Sequence, residues 1–126
     1  TSKISAINPS DNRMKFGLKE NVIDKIQQVF SSVSQVEEAI LYGSRAKGNF
    51  RNGSDIDLVL KGKGLDLRVM NQLSEKLDDL LLPYMLDISV YKQISDPDLL
   101  DHIRRVGVIF YQKKLKDQQP APALHP

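Results

Sequence analysis

Residues 55–60 read Asp-Ile-Asp-Leu-Val-Leu, an apolar run with the makings of a strand that nevertheless carries two carboxylates at its start. Successive side chains of a strand alternate faces, so Asp55 and Asp57 point one way with Val59 behind them, and Ile56, Leu58 and Leu60 point the other. The second face is fit for a core; the first is not. Residues 86–91, Leu-Asp-Ile-Ser-Val-Tyr, repeat the pattern, with Leu86, Ile88 and Val90 on one side and Asp87, Ser89 and Tyr91 on the other. If the two segments are neighbours in one sheet, three carboxylates gather on one face. Aspartate is disfavoured in strands, and like charges placed opposite each other cost up to about 1 kcal/mol per pair. Burying an unpaired carboxylate costs several kcal/mol more. Something must offset this, and a divalent cation is the natural candidate. Hard oxygen ligands suit Mg²⁺ or Mn²⁺, and the chain has no cysteine and only two histidines, His102 and His125, so the donors that favour zinc or copper are lacking. Two such ions about 3.5–4 Å apart bridge three carboxylates and leave positions open for phosphate oxygens and water.

The segment just before the acidic strand supplies the complementary half. Gly43 and Ser44 follow the β-prone run Ala-Ile-Leu-Tyr at 39–42, and the sequence Ser-Arg-Ala-Lys can make a helical turn whose free N–H groups bind phosphate. Arg45 and Lys47 add positive charge, and Ser44 adds a hydroxyl donor. Phosphate on one side and metal on the other describe a nucleoside-triphosphate site.

The remaining pattern places this site on a small fold. Leu18, Val22, Ile23, Ile26, Val29, Phe30 and Val33 recur at three and four and predict a first amphipathic helix. Leu65, Val69, Met70, Leu73, Leu77, Leu80 and Leu81 predict a second, ending before Pro83. A short third helix is signalled by Asp96 as cap, Pro97 in the first turn, the stripe Leu99, Leu100, Ile103 and Val106, and Gly107 as terminator. With β-prone runs at 39–42, 55–60, 86–91 and 108–111, strands and helices alternate, which implies a sheet covered by helices on at least one face. Periodicity leaves open which neighbours are parallel. At 126 residues the chain is long enough for one domain with a core of its own. We assign that domain to 17–112, with flexible segments at 1–16 and 113–126.

Composition excludes several classes. A net charge of +2 gives no bulk field for nucleic acid, and the absence of cysteine removes disulfides and thiolate chemistry and makes a cytoplasmic location the expectation. No apolar run approaches the roughly 20 residues of a membrane span, and the first residues lack the layout of a signal peptide. Several residues have ordinary readings. Asp55 alone suits a turn, though that account fails for Asp57 and Asp87 inside apolar runs. Arg51 is expected to be exposed, Ser54 to serve either phosphate or the turn, and Tyr91 to pack. His102 is expected on the surface away from the motif, with Arg104 and Arg105 favouring the dipole of the third helix.

Gly43-Ser44, ten residues, then Asp55-Ile56-Asp57 matches the Gly-Ser-x10-Asp-x-Asp signature, and the chain from about 18 to 111 resembles the polymerase-β-like nucleotidyltransferase superfamily, with Asp87 where that family carries its third carboxylate. Its size resembles the minimal nucleotidyltransferases, many of which act as antitoxins to a HEPN-domain ribonuclease. The resemblance implies an α+β fold with a small mixed sheet of about four strands and helices packed on it. It further implies that Asp55 and Asp57 hold two Mg²⁺ ions, that Asp87 holds the catalytic one and helps activate the attacking hydroxyl, and that Gly43 and Ser44 bind the triphosphate of ATP. The expected reaction moves AMP from ATP to a hydroxyl of a HEPN-domain toxin. Two other readings keep their place: transfer to a small molecule or a nucleic-acid end, and a silent antitoxin that neutralises its partner by contact.

Overall fold

The computed structural model describes residues 14–114, and among them four strands form one sheet in the order β5-β4-β3-β6. These are β3 (Glu38–Tyr42), β4 (Ile56–Lys61), β5 (Leu86–Val90) and β6 (Val108–Gln112), preceded by a short hairpin of β1 (Met14–Lys15) and β2 (Leu18–Lys19). The sheet is mixed: β3 runs antiparallel to both β4 and β6, whereas β4 and β5 are parallel. The parallel pair needs a crossover, and the intervening helix α3 (Leu67–Asp78) provides it.

The apolar alternation read from the sequence decides which face is covered. Ile56, Leu58 and Leu60 of β4 and Ala39 and Leu41 of β3 are fully buried, and they join one core with Ile26 and Phe30 of α1 (Glu20–Ser31) and Leu73 and Leu77 of α3. Each such leucine, isoleucine or phenylalanine contributes about 1.5–3 kcal/mol by leaving water. Helix α1 begins two residues later than the periodicity suggests because Leu18 belongs to β2, yet Leu18 is still a core residue. Helix α3 is capped by Asp66, whose carboxylate accepts the Val69 N–H at 2.9 Å.

The other face carries α4 (Pro97–Val106), which opens with the expected cap: Asp96 accepts the Asp98 N–H at 2.9 Å. It crosses β3, bringing Gly107 against Ile40, a residue whose side chain faces away from the main core. The sheet is thus covered over its whole inner face but only partly over the outer one, and the uncovered part holds the aspartates. No described helix is long and apolar enough to cross a membrane.

The edges of the domain differ from the expectation. Residues 14–16, assigned to a flexible segment, belong to the β1–β2 hairpin, where the Phe16 ring lies tilted against Phe110 with centroids 6.4 Å apart. At the other end the Lys113 N–H donates to Glu37 at 2.9 Å. The rest of both expected tails lies outside the described residues.

Candidate active site

Register fixes the centre of the site. In the parallel ladder Asp57 stands directly beside Asp87, and in the antiparallel one Tyr42 stands beside Asp57, so one row runs Tyr42–Asp57–Asp87 across three strands on the outer face. Asp55 precedes β4 in the loop and is exposed. The Asp57 carboxyl is pushed above the usual carboxylate range, first by burial and then by the charges of Asp87 and Asp55, with His102 pulling the other way. Burial also raises the Tyr42 phenol, with the Asp57 and Asp87 charges adding to it.

Among the described residues the three carboxylates make no ion pair with lysine or arginine, whereas Asp101 is held by Arg104 and Arg105 on α4. An all-oxygen acidic set without a lysine or arginine partner among the described residues fits a hard divalent cation. It is not a preformed cage, because among the described residues no three acidic or histidine side chains converge closely enough to be one. Like charges at this spacing repel, and Asp55, on its loop, is the one free to stand off.

Gly43 makes the second half. Its φ of +78° lies in the left-handed region, and a Cβ there would stand 2.5 Å from Asp57 Oδ2. Glycine is needed on both counts. Gly43→Ala is expected to cost about 2 kcal/mol in a denaturant melt and to displace the Asp57 carboxylate, so that activity falls with stability. Gly43 leads into α2 (Ser44–Lys47), the helical turn expected from Ser-Arg-Ala-Lys, in which Lys47 donates to the Gly43 carbonyl at 3.0 Å.

Two residues behave differently from the sequence reading. Arg45 was expected to meet phosphate; instead it is 2% exposed and turned inward. Its guanidinium donates to the Ser54 carbonyl through Nε (3.1 Å) and Nη2 (2.9 Å) and to the Phe16 carbonyl through Nη1 (2.9 Å). It lies between the Phe50 and Tyr84 rings, 5.2 and 5.0 Å from their centroids. A short α2 puts every third or fourth side chain against the domain, and position 45 is the inward one. Lys47 is exposed and remains available. The second departure is His102, expected on the surface away from the motif. Its Nε2 accepts the Gly43 N–H at 3.2 Å, and its ring meets Tyr42 edge-on at 6.2 Å. One donor of the expected phosphate loop is therefore occupied. The signal available in the sequence is spacing: His102 lies three residues after Leu99 and four before Val106, so it shares their half-buried side of α4. Ser54 serves the turn, its hydroxyl accepting the Arg51 N–H at 2.8 Å. Tyr91 sits in a single turn of 3-10 helix after β5, with Lys61 Nζ 4.6 Å from its ring centroid.

A glycine-serine turn beside paired aspartates on a small mixed sheet defines a nucleotidyltransferase domain, and the chain matches the family "Polymerase beta, Nucleotidyltransferase" over residues 24–116, to which it belongs. It is 30% identical over 80 residues to the probable protein adenylyltransferase MntA of Haemophilus influenzae, a match spanning 63% of this chain and 69% of that one. Its fold is shared with solved structures at lower identity. A toxin–antitoxin structure with AMP-PNP superposes with a TM-score of 0.58 at 24% identity, covering 79% of this chain and 78% of that one. The complex of a tri-AMPylated Shewanella oneidensis HEPN toxin with MNT antitoxin gives 0.56 at 19%, covering 78% and 76%.

Proposed function

We propose that this chain transfers AMP from ATP to a hydroxyl of a partner protein, and that the partner is a HEPN-domain toxin silenced by the modification. The observation that carries the reading is the Asp57–Asp87 pair, register-matched on adjacent strands without a lysine or arginine partner among the described residues, with Asp57 packed against Gly43. The name of the MntA relative and the HEPN toxin complexes that share the fold support the choice of acceptor.

In the reaction the acceptor hydroxyl oxygen attacks the α-phosphorus of ATP. The new P–O bond forms as the bond to the bridging oxygen breaks, pyrophosphate leaves, and the hydroxyl proton passes to the Asp87 carboxylate. Asp55, Asp57 and Asp87 would hold Mg²⁺, or Mn²⁺ in its place, which when bound supplies the positive charge that offsets the entering and leaving oxygens. Ser44 and Lys47 face the triphosphate; Arg45 does not, because its donors are spent on Ser54 and Phe16. The Gly43 amide joins them only after parting from His102.

The test is incubation of the chain with ATP labelled in its α-phosphate, Mg²⁺ and the cognate HEPN-domain protein. Label on that protein, absent without Mg²⁺, is the expected result. Neutralisation of the toxin with no label anywhere would establish contact alone, and label only on a small molecule or on RNA would move the acceptor.

A further inference from the structure

The segment that connects α3 to β5 alternates inward and outward over eight residues. Leu80, Leu82, Tyr84 and Leu86 are half-buried against the core, and Leu81, Pro83, Met85 and Asp87 are exposed. Three consecutive outward positions are thus apolar, and the fourth is the carboxylate of the proposed site. Leu81 is 87% exposed and Met85 67%. Exposing them sacrifices the gain from burial. Leu81 also has a φ of +53°, a left-handed conformation that glycine or asparagine would take with less strain at this place just past a helix. A sequence selected only for the isolated fold would not put leucine there.

The row bends at Pro83 and Tyr84, and its Met85 end adjoins the catalytic face. The Met85 carbonyl accepts the Ile56 N–H at 2.9 Å, and one step beyond the paired register Met85 stands next to Asp55. Tyr84, between the two outward positions, is fixed under Arg45. At the far end of the row Asp78 and Asp79 are exposed and make no ion pair among the described residues. An apolar strip with an acidic end marks a contact surface for a partner carrying an apolar ridge flanked by lysine or arginine.

We propose that Leu81, Pro83 and Met85 form the docking strip for the acceptor protein, seating it so that its hydroxyl reaches the Asp87 end. This rests on the reading that the acceptor is a protein. An acceptor hydroxyl that approaches Asp87 from solvent brings its own chain across Met85, the exposed apolar side chain two residues before it, and the strip extends that contact away from the nucleotide. Asp78 and Asp79 then meet the basic flank.

The experiment compares the parent chain with Leu81→Asn, Met85→Ser and the double variant by calorimetry with the cognate HEPN-domain protein, by calorimetry with AMP-PNP and Mg²⁺, and by label transfer. Binding of the HEPN protein is expected to weaken about tenfold or more in the double variant, as for apolar anchors at an interface. AMP-PNP affinity of Leu81→Asn is expected to stay within twofold of the parent, as for a distant independent site, and its melting temperature to rise. Equal affinity of parent and variants for the HEPN protein overturns the strip, and so does a parent chain that does not bind that protein. A parent that binds it through the strip but transfers no label leaves the strip standing and removes the proposed activity instead.

Discussion

Asp57→Asn is expected to reduce AMP transfer by a factor on the order of 10³ or more, the scale seen when a charge-stabilising group is removed from a reacting centre. The same variant is expected to melt higher than the parent in metal-free buffer. Asp57 lies beside Asp87 in the ladder and its carboxyl is raised by burial and by the neighbouring charges, so ionising it costs the folded chain something that the unfolded chain does not pay. The sign follows directly. A carboxyl whose folded pKa is raised opposes folding above that pKa, and this opposition disappears as pH falls below the ordinary unfolded value. The gap in melting temperature between Asp57→Asn and the parent should therefore be full at neutral pH and close in acid. Added Mg²⁺ supplies a second, independent readout: it should raise the parent's melting temperature by mass action and move Asp57→Asn little. A variant that melts well below the parent without metal would place Asp57 among structural residues and remove the charge argument on which the site stands.

How far the sequence leads to this site can be judged residue by residue. Strand alternation was sufficient to separate Ile56, Leu58 and Leu60 from Asp57 because burial of one face leaves no freedom of register. The caps of α3 and α4 follow from local hydrogen bonding and need no knowledge of the rest of the chain. What periodicity did not contain is which strand lies beside which. That β4 and β5 are parallel, so that Asp57 meets Asp87, is a property of the crossover. Arg45 and His102 failed for a related reason. A cation next to a glycine-serine pair looks like a phosphate ligand when the only known neighbours are those in sequence; two of the partners that hold Arg45, Phe16 and Tyr84, are 29 and 39 positions away. His102 meets Gly43 across 59 residues. Contacts of that kind come from how α4 packs on the sheet; helical spacing gives the side of α4 on which His102 stands but not the residue of the sheet that it meets. The β1–β2 hairpin was missed because two-residue strands have no periodicity to read.

Arg45→Met is expected to lower stability by about 3 kcal/mol, the cost of leaving two carbonyls without their charged donor while keeping much of the side-chain volume. For a domain of this size that is roughly 10 °C in melting temperature. The effect on transfer should exceed what the lost stability explains, even well below the melting point. The guanidinium ties the carbonyl of Ser54, the residue immediately before Asp55, to the carbonyl of Phe16, and it rests on Tyr84, three residues before Asp87. Removing it frees the loop that delivers Asp55 and the segment that leads to β5 together. The consequence separates this residue from a phosphate ligand. Loss of a phosphate contact raises the KM for ATP and leaves the fold unchanged, whereas loss of the clamp lowers the melting temperature and raises the Mg²⁺ concentration needed for half-maximal transfer. Arg45→Lys sharpens the distinction, since an ammonium keeps the charge a phosphate would require but cannot serve both carbonyls and stack flat between Phe50 and Tyr84. If the lysine variant matches the parent in stability and Mg²⁺ requirement, the charge alone matters at position 45 and the clamp is refuted.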